Sequence, residues 1–158
     1  MDASAGWARF QGEAPELARS VLQRLQARHH HVLGTIRPDG SPRLSGTEVQ
    51  FGTWGLAIGF MPETAKGRDL ERDGRFALHS HPACEGLTDP DVKMWGTAYQ
   101  IAGDALADYA RVVHPPDQFV AYQLALSGVS RVQVHPDGDR LIITTWRPGS
   151  GVSTVERR

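Results

Sequence analysis

Val32-Leu33-Gly34-Thr35-Ile36-Arg37-Pro38-Asp39-Gly40-Ser41-Pro42-Arg43 is the stretch on which the fold turns. Its first residues are apolar and β-branched and end at turn formers, the mark of a short strand. Pro38 presets φ, the Asp39 carboxylate can bond its own backbone, and Gly40 tolerates positive φ, so this is a turn with a mechanism. The pattern predicts an antiparallel hairpin, with one strand over 31–36 and its partner over 42–51.

Working outward, Gly52-Thr53-Trp54-Gly55 turns the chain again into a third strand over 56–60. A short helix is predicted over 65–72, since Thr64 can cap it and Asp73-Gly74 can stop it. A fourth strand follows over 75–79, a surface loop over 80–91 and a long fifth strand over 92–102. Gly103-Asp104 opens a helix carrying Leu106, Tyr109 and Val113, which Pro115-Pro116 breaks. The spacing of Phe119, Tyr122 and Leu126 predicts a further helical piece over 117–127. The last hairpin, 130–135 and 140–146, closes on a second Pro-Asp-Gly, residues 136–138.

Upstream, Leu17, Val21 and Leu25 form the stripe of a helix that begins at Pro15. His29, His30 and His31 follow its last turn, where imidazolium complements the helix end. Residues 1–14 read as a loosely held arm in which Trp7 and Phe10 can dock. The sum is an α+β domain over 15–158, mainly antiparallel β with flanking helices. The regular strand–helix alternation and glycine fingerprint of a dinucleotide-binding sheet are lacking, so a redox cofactor would bind in some other manner.

At 158 residues the chain can bury a sizeable single core. A net charge of -1 offers no broad field for nucleic acid or an anionic membrane, so anion binding must come from a few placed cations. Its one cysteine, Cys84, forbids an internal disulfide or a multi-thiolate metal site. The first residues do not resemble a signal peptide, and a cytoplasmic, soluble protein without a metal centre is expected.

Two segments offer binding chemistry. Met61 to Leu70 follows an apolar strand and opens a helix, and free N–H groups beside Thr64 and Lys66 suit a phosphate. A plain capped helix with solvated Lys66 and Arg68 explains the same residues. In the second strand, alternation puts Arg43, Ser45 and Thr47 on one face, while Gly46 lets a flat ring or another backbone come close. That row also fits the wet face of a half-buried sheet.

Taken in order, 32–43, 59–70, Arg75-Phe76-Ala77-Leu78, Gly96-Thr97-Ala98 and Trp146-Arg147-Pro148-Gly149 resemble the pyridoxamine 5'-phosphate oxidase-like, FMN-binding split-barrel family. The resemblance covers roughly residues 16–149. It implies a six-stranded split β-barrel that forms a homodimer with cofactor sites at the interface, acting as an oxidoreductase on a small-molecule substrate. By it, Thr64 and Lys66 would hold the FMN phosphate, and Arg43, Ser45, Gly46 and Thr47 would lie along the ribityl chain and ring. Gly59 and Phe60 would come from the adjoining strand, and Asp91 and Trp146 from the second subunit or the rim.

Two departures bear on activity. Ala65 stands where tight FMN binders often carry arginine, and Glu48 where the oxidases proper have lysine. A charge-assisted hydrogen bond contributes about 1.5–3 kcal/mol, so losing one weakens binding about ten- to a hundredfold. The tail also lacks the pattern that grips the vitamin B6 substrate. A deazaflavin-dependent reductase on the same fold is therefore one alternative, and a non-enzymatic binder of flavin, heme or another tetrapyrrole is a second. No residue carries a catalytic assignment.

Overall fold

The computed structural model describes residues 5–82 and 89–158. Cys84 and half of the loop expected over 80–91, residues 83–88, lie outside the described residues. Four helices and nine strands follow in the order α1 (Ala5–Glu13), α2 (Pro15–Gln26), β1 (His31–Ile36), β2 (Pro42–Thr47), β3 (Gln50–Gly52), β4 (Gly55–Phe60), α3 (Ala65–Arg72), β5 (Arg75–His79), β6 (Asp91–Gln100), α4 (Gly103–Val113), β7 (Val120–Val134), β8 (Leu141–Arg147) and β9 (Gly151–Arg157). All pairings are antiparallel, in the order β2-β1-β5-β6-β7-β4-β3, with β8 and β9 continuing from the far half of β7. This is an open, split-barrel sheet. Seven strands form its continuous path, with the short β3 at one edge, and the β8–β9 ribbon is an addition.

The opening hairpin forms as the sequence predicts, with Gly40 at φ 84° and Asp39 accepting from both the Ser41 amide and hydroxyl. Three segments differ from expectation. The strand read over 42–51 breaks after Thr47 and resumes as β3. Residues 117–127 are not helical; from Val120 on they belong to β7, because β4 pairs with one edge and β6 with the other. The expected arm is helix α1, which buries Trp7 and Phe10.

β4 and β7 are buried on both faces. Leu56, Ile58, Tyr122 and Leu124 join α1 and α2 in the main core, while Ala57 and Ala121 face a second cluster of Trp54, Ile101 and Tyr109 beneath α4. In the main core, Trp7 packs on Phe51 at 4.9 Å and Phe10 on Trp146 at 4.8 Å between ring centroids. No helix among the described residues is long and apolar enough to cross a membrane.

His31 joins α2 to the β5–β6 connection. The His81 amide donates to its Nδ1 at 3.1 Å, so Nδ1 must be a lone pair and Nε2–H donates to the Leu25 carbonyl, also at 3.1 Å. Only the neutral ring can make both bonds, and burial pulls its pKa below the usual histidine value. This contribution to stability is complete above pH ~6.5, the unfolded value, and is lost as pH falls through the lower folded value. Melting temperature should therefore drop between pH 7 and pH 5, and His31→Gln should flatten that slope; an identical slope in both proteins would contradict the assignment.

Candidate functional site

A cleft of about 490 Å³ opens where five elements meet. The end of β2 and the turn after it contribute Gly46, Thr47 and Glu48, and β3 adds Gln50. Gly59, Phe60 and Met61 close the end of β4, and Lys66 projects from the first turn of α3. The opposite wall is the end of α4 and the chain after it, from Tyr109 to Phe119.

Lys66 is the cation set into this wall. Its Nζ donates to the Gly46 carbonyl at 2.7 Å and lies 5.1 Å from the centre of the Phe60 ring. Partial burial pulls its pKa below the ordinary lysine value. An ammonium has three donors, and one is used on Gly46. The Phe60 ring is held flat against Tyr122, with centroids 5.6 Å apart and planes 10° from parallel. A Cβ on Gly46 would meet open space, so the strand surface is clear there.

α3 is fixed from both ends. Thr64 caps it in the expected way, its hydroxyl accepting from the Gly67 amide at 3.2 Å. Asp69, buried to 1% exposure, receives Arg43 Nε at 2.6 Å, the Thr35 hydroxyl at 2.8 Å and Arg72 at 3.3 Å. Burial pushes its carboxyl up, but these three donors outweigh that and hold its pKa below the usual range. The arginine of the predicted polar row thus ties β2 to α3 beneath the site.

Of the residues singled out in the sequence, Gly46, Thr47, Gly59, Phe60 and Lys66 come together in the cleft, with Thr64 at the base of the same helix. Arg43 and Ser45 do not line it. Trp146 stands apart and is a core residue: it is fully buried on Phe10, and its indole N–H donates to Glu13 at 3.1 Å. Asp91 begins β6, 3.9 Å from His79, and lies outside the cleft as well.

The α4 wall carries no binding signal in the sequence. Tyr109 and Val113 fitted an ordinary apolar stripe, and His30 sat in a histidine run with no diagnostic context. One physical sign does mark this wall. His114 lies at φ 51° immediately before Pro115, although a residue preceding proline favours extended backbone. The only other non-glycine residue at positive φ among the described residues is Glu63, at the base of α3. Such strain gathers at functional sites, and here it brackets the cleft.

No protein-family model and no curated protein matches the sequence. Solved structures share the fold. A pyridoxamine 5'-phosphate oxidase-related, FMN-binding protein from Nostoc punctiforme superposes with a TM-score of 0.64 at 14% identity, over 92% of this chain and 96% of that one. PhzG from Burkholderia lata, in complex with tetrahydrophenazine-1-carboxylic acid, gives 0.59 at 16% identity, over 91% and 89%. The heme storage protein HutZ from Vibrio cholerae gives 0.54 at 14% identity, over 72% and 89%. At these identities the resemblance read from the sequence stands at the level of fold.

Proposed function

We propose that the cleft binds FMN and that the protein is a flavin-dependent oxidoreductase acting on a small molecule other than a vitamin B6 phosphate. The observation that carries this reading is Lys66, whose Nζ lies in the cleft wall and whose residue stands in the first turn of α3, where the Thr64 cap bonds the Gly67 amide. Cation and helix start together suit a phosphate. The fit is physical in two further respects: the volume lies within the range of cofactor pockets, and Gly46 leaves room above β2 for a flat ring.

In this reading Lys66 and the α3 amides hold the phosphate, while Phe60 and the α4 wall exclude water from the ring. FMN would supply hydride or electron transfer at its own ring. The chain need only bind and orient. Purified protein should quench FMN fluorescence saturably, and FMN should raise its melting temperature. A flat titration at millimolar FMN would refute the proposal.

His30 and His114 also line the cleft, which favours a second reading, heme binding. Hemin should then give a Soret band that His114→Ala weakens. The deazaflavin coenzyme, titrated beside FMN, separates the remaining alternative.

We also propose a homodimer. The outer face of β2, β1, β5 and β6 is hollowed by about 340 Å³, lined by Val32, Leu44, Ala77, His79, Lys93 and Trp95. Leu44, on the edge strand β2, is 75% exposed. An apolar hollow of this kind marks an interaction surface, and a stable pair needs about 800 Å² per partner. Leu44→Asp should convert dimer to monomer in sedimentation at micromolar concentration; a wild-type monomer would overturn the proposal.

A further inference from the structure

Tyr109 is buried to 2% exposure, but its oxygen is not one of the sealed side-chain atoms left without a partner; with no hydrogen bond to another described residue, the hydroxyl opens to the cleft that the residue lines. A hydroxyl so placed can bond whatever occupies the cleft. The ring is fixed in place. It is held between Trp54, 5.0 Å away, and Phe119, 5.9 Å away and 19° from parallel, which are centroid distances. The hydroxyl fills the space that a side chain on residue 59 would occupy, so Gly59 is required by Tyr109 and not only by a ligand.

Both residues line the cleft. Burial, with a smaller contribution from the Glu48 charge, pushes the phenol pKa up to about 12. The group is therefore a fixed donor at any physiological pH, on a wall whose other members are largely apolar.

We propose that Tyr109 donates its hydroxyl hydrogen to an acceptor atom on the ring system held in the cleft, and so selects planar ligands that present a carbonyl or ring nitrogen on that side. This rests on the flavin reading above and deepens it. A flavin edge offers such acceptors, whereas a ligand presenting an N–H there would use the hydroxyl oxygen as its acceptor and leave the O–H itself without a partner.

The test is Tyr109→Phe, which keeps the ring, its stacking and the shape of the cleft. FMN and riboflavin should both lose affinity by about three- to tenfold, the effect of one neutral hydrogen bond. The visible absorption bands of the bound flavin should shift. Ligand-free protein should melt no lower than wild type, since the lost hydroxyl had no partner to leave behind. Unchanged affinity and spectrum in a wild type that binds FMN would overturn this proposal alone. A lower ligand-free melting temperature would overturn it too, by showing a structural role. A wild type that binds neither flavin would remove the flavin reading and this inference with it.

Discussion

Lys66→Ala should lose ten- to a hundredfold in FMN affinity while remaining folded. The magnitude is that of a charge-assisted hydrogen bond to phosphate, about 1.5–3 kcal/mol, and the sequence offers no second cation at the preceding position, where Ala65 stands. The fold should tolerate the change. Lys66 gives the protein one bond to the Gly46 carbonyl and one contact with the Phe60 ring, both at the surface of a cleft. α3 keeps its Thr64 cap and the buried Asp69 that accepts from Arg43, Thr35 and Arg72. Equilibrium titration by flavin fluorescence, with a melting curve of the ligand-free variant as control, measures both halves of the expectation.

Gly96→Ala should do the reverse, leaving the cleft residues intact and damaging the sheet. Gly96 sits at the β6–β7 irregularity, where pairing steps from Trp95 opposite Gly128 to Gly96 opposite Leu126. A Cβ there would overlap the Ala125 carbonyl oxygen and lie 2.9 Å from its carbon and 3.0 Å from the Ser127 amide nitrogen. These are backbone atoms of the central strand, which cannot retreat without opening the ladder. Overpacking against movable side chains costs about 1–3 kcal/mol, so a clash with backbone should cost about 3 kcal/mol or more. At about 2–4 °C per kcal/mol for a chain of this size, melting should fall by about 10 °C. Gly12→Ala is the control, since nothing lies within 4 Å of its Cβ.

The legible parts of the fold were those specified locally. Pro38-Asp39-Gly40, the Pro15 helix, the Thr64 cap and the β5 strand each depend on residues a few positions apart. β7 was misread because Phe119, Tyr122 and Leu126 have helical spacing, whereas its state is decided by β4 and β6, more than twenty residues away in sequence. α1 was missed because Trp7 and Phe10 make only one apolar turn. Its stability comes from Phe51 and Trp146, which no local pattern reveals. β9 is exposed along most of its length and carries little apolar signal.

The site divides the same way. Its β4–α3 half, from Gly59 to Lys66, was visible because strand, cap and lysine are contiguous. Its α4 half was not, since Tyr109 reads as core until Gly59 is seen beneath its hydroxyl. Arg43 and Trp146 show the limit of placing side chains by resemblance. Arg43 satisfies buried Asp69, and Trp146 is held in the core by Glu13 and Phe10.

A phosphate held by Lys66 is the central claim, and comparing FMN with riboflavin, which lacks that phosphate, in wild type and Lys66→Ala tests it most directly. Wild type should bind FMN about ten- to a hundredfold more tightly than riboflavin, and the variant should bind the two alike. Equal affinities in wild type, or a preference for FMN that survives in Lys66→Ala, would contradict it.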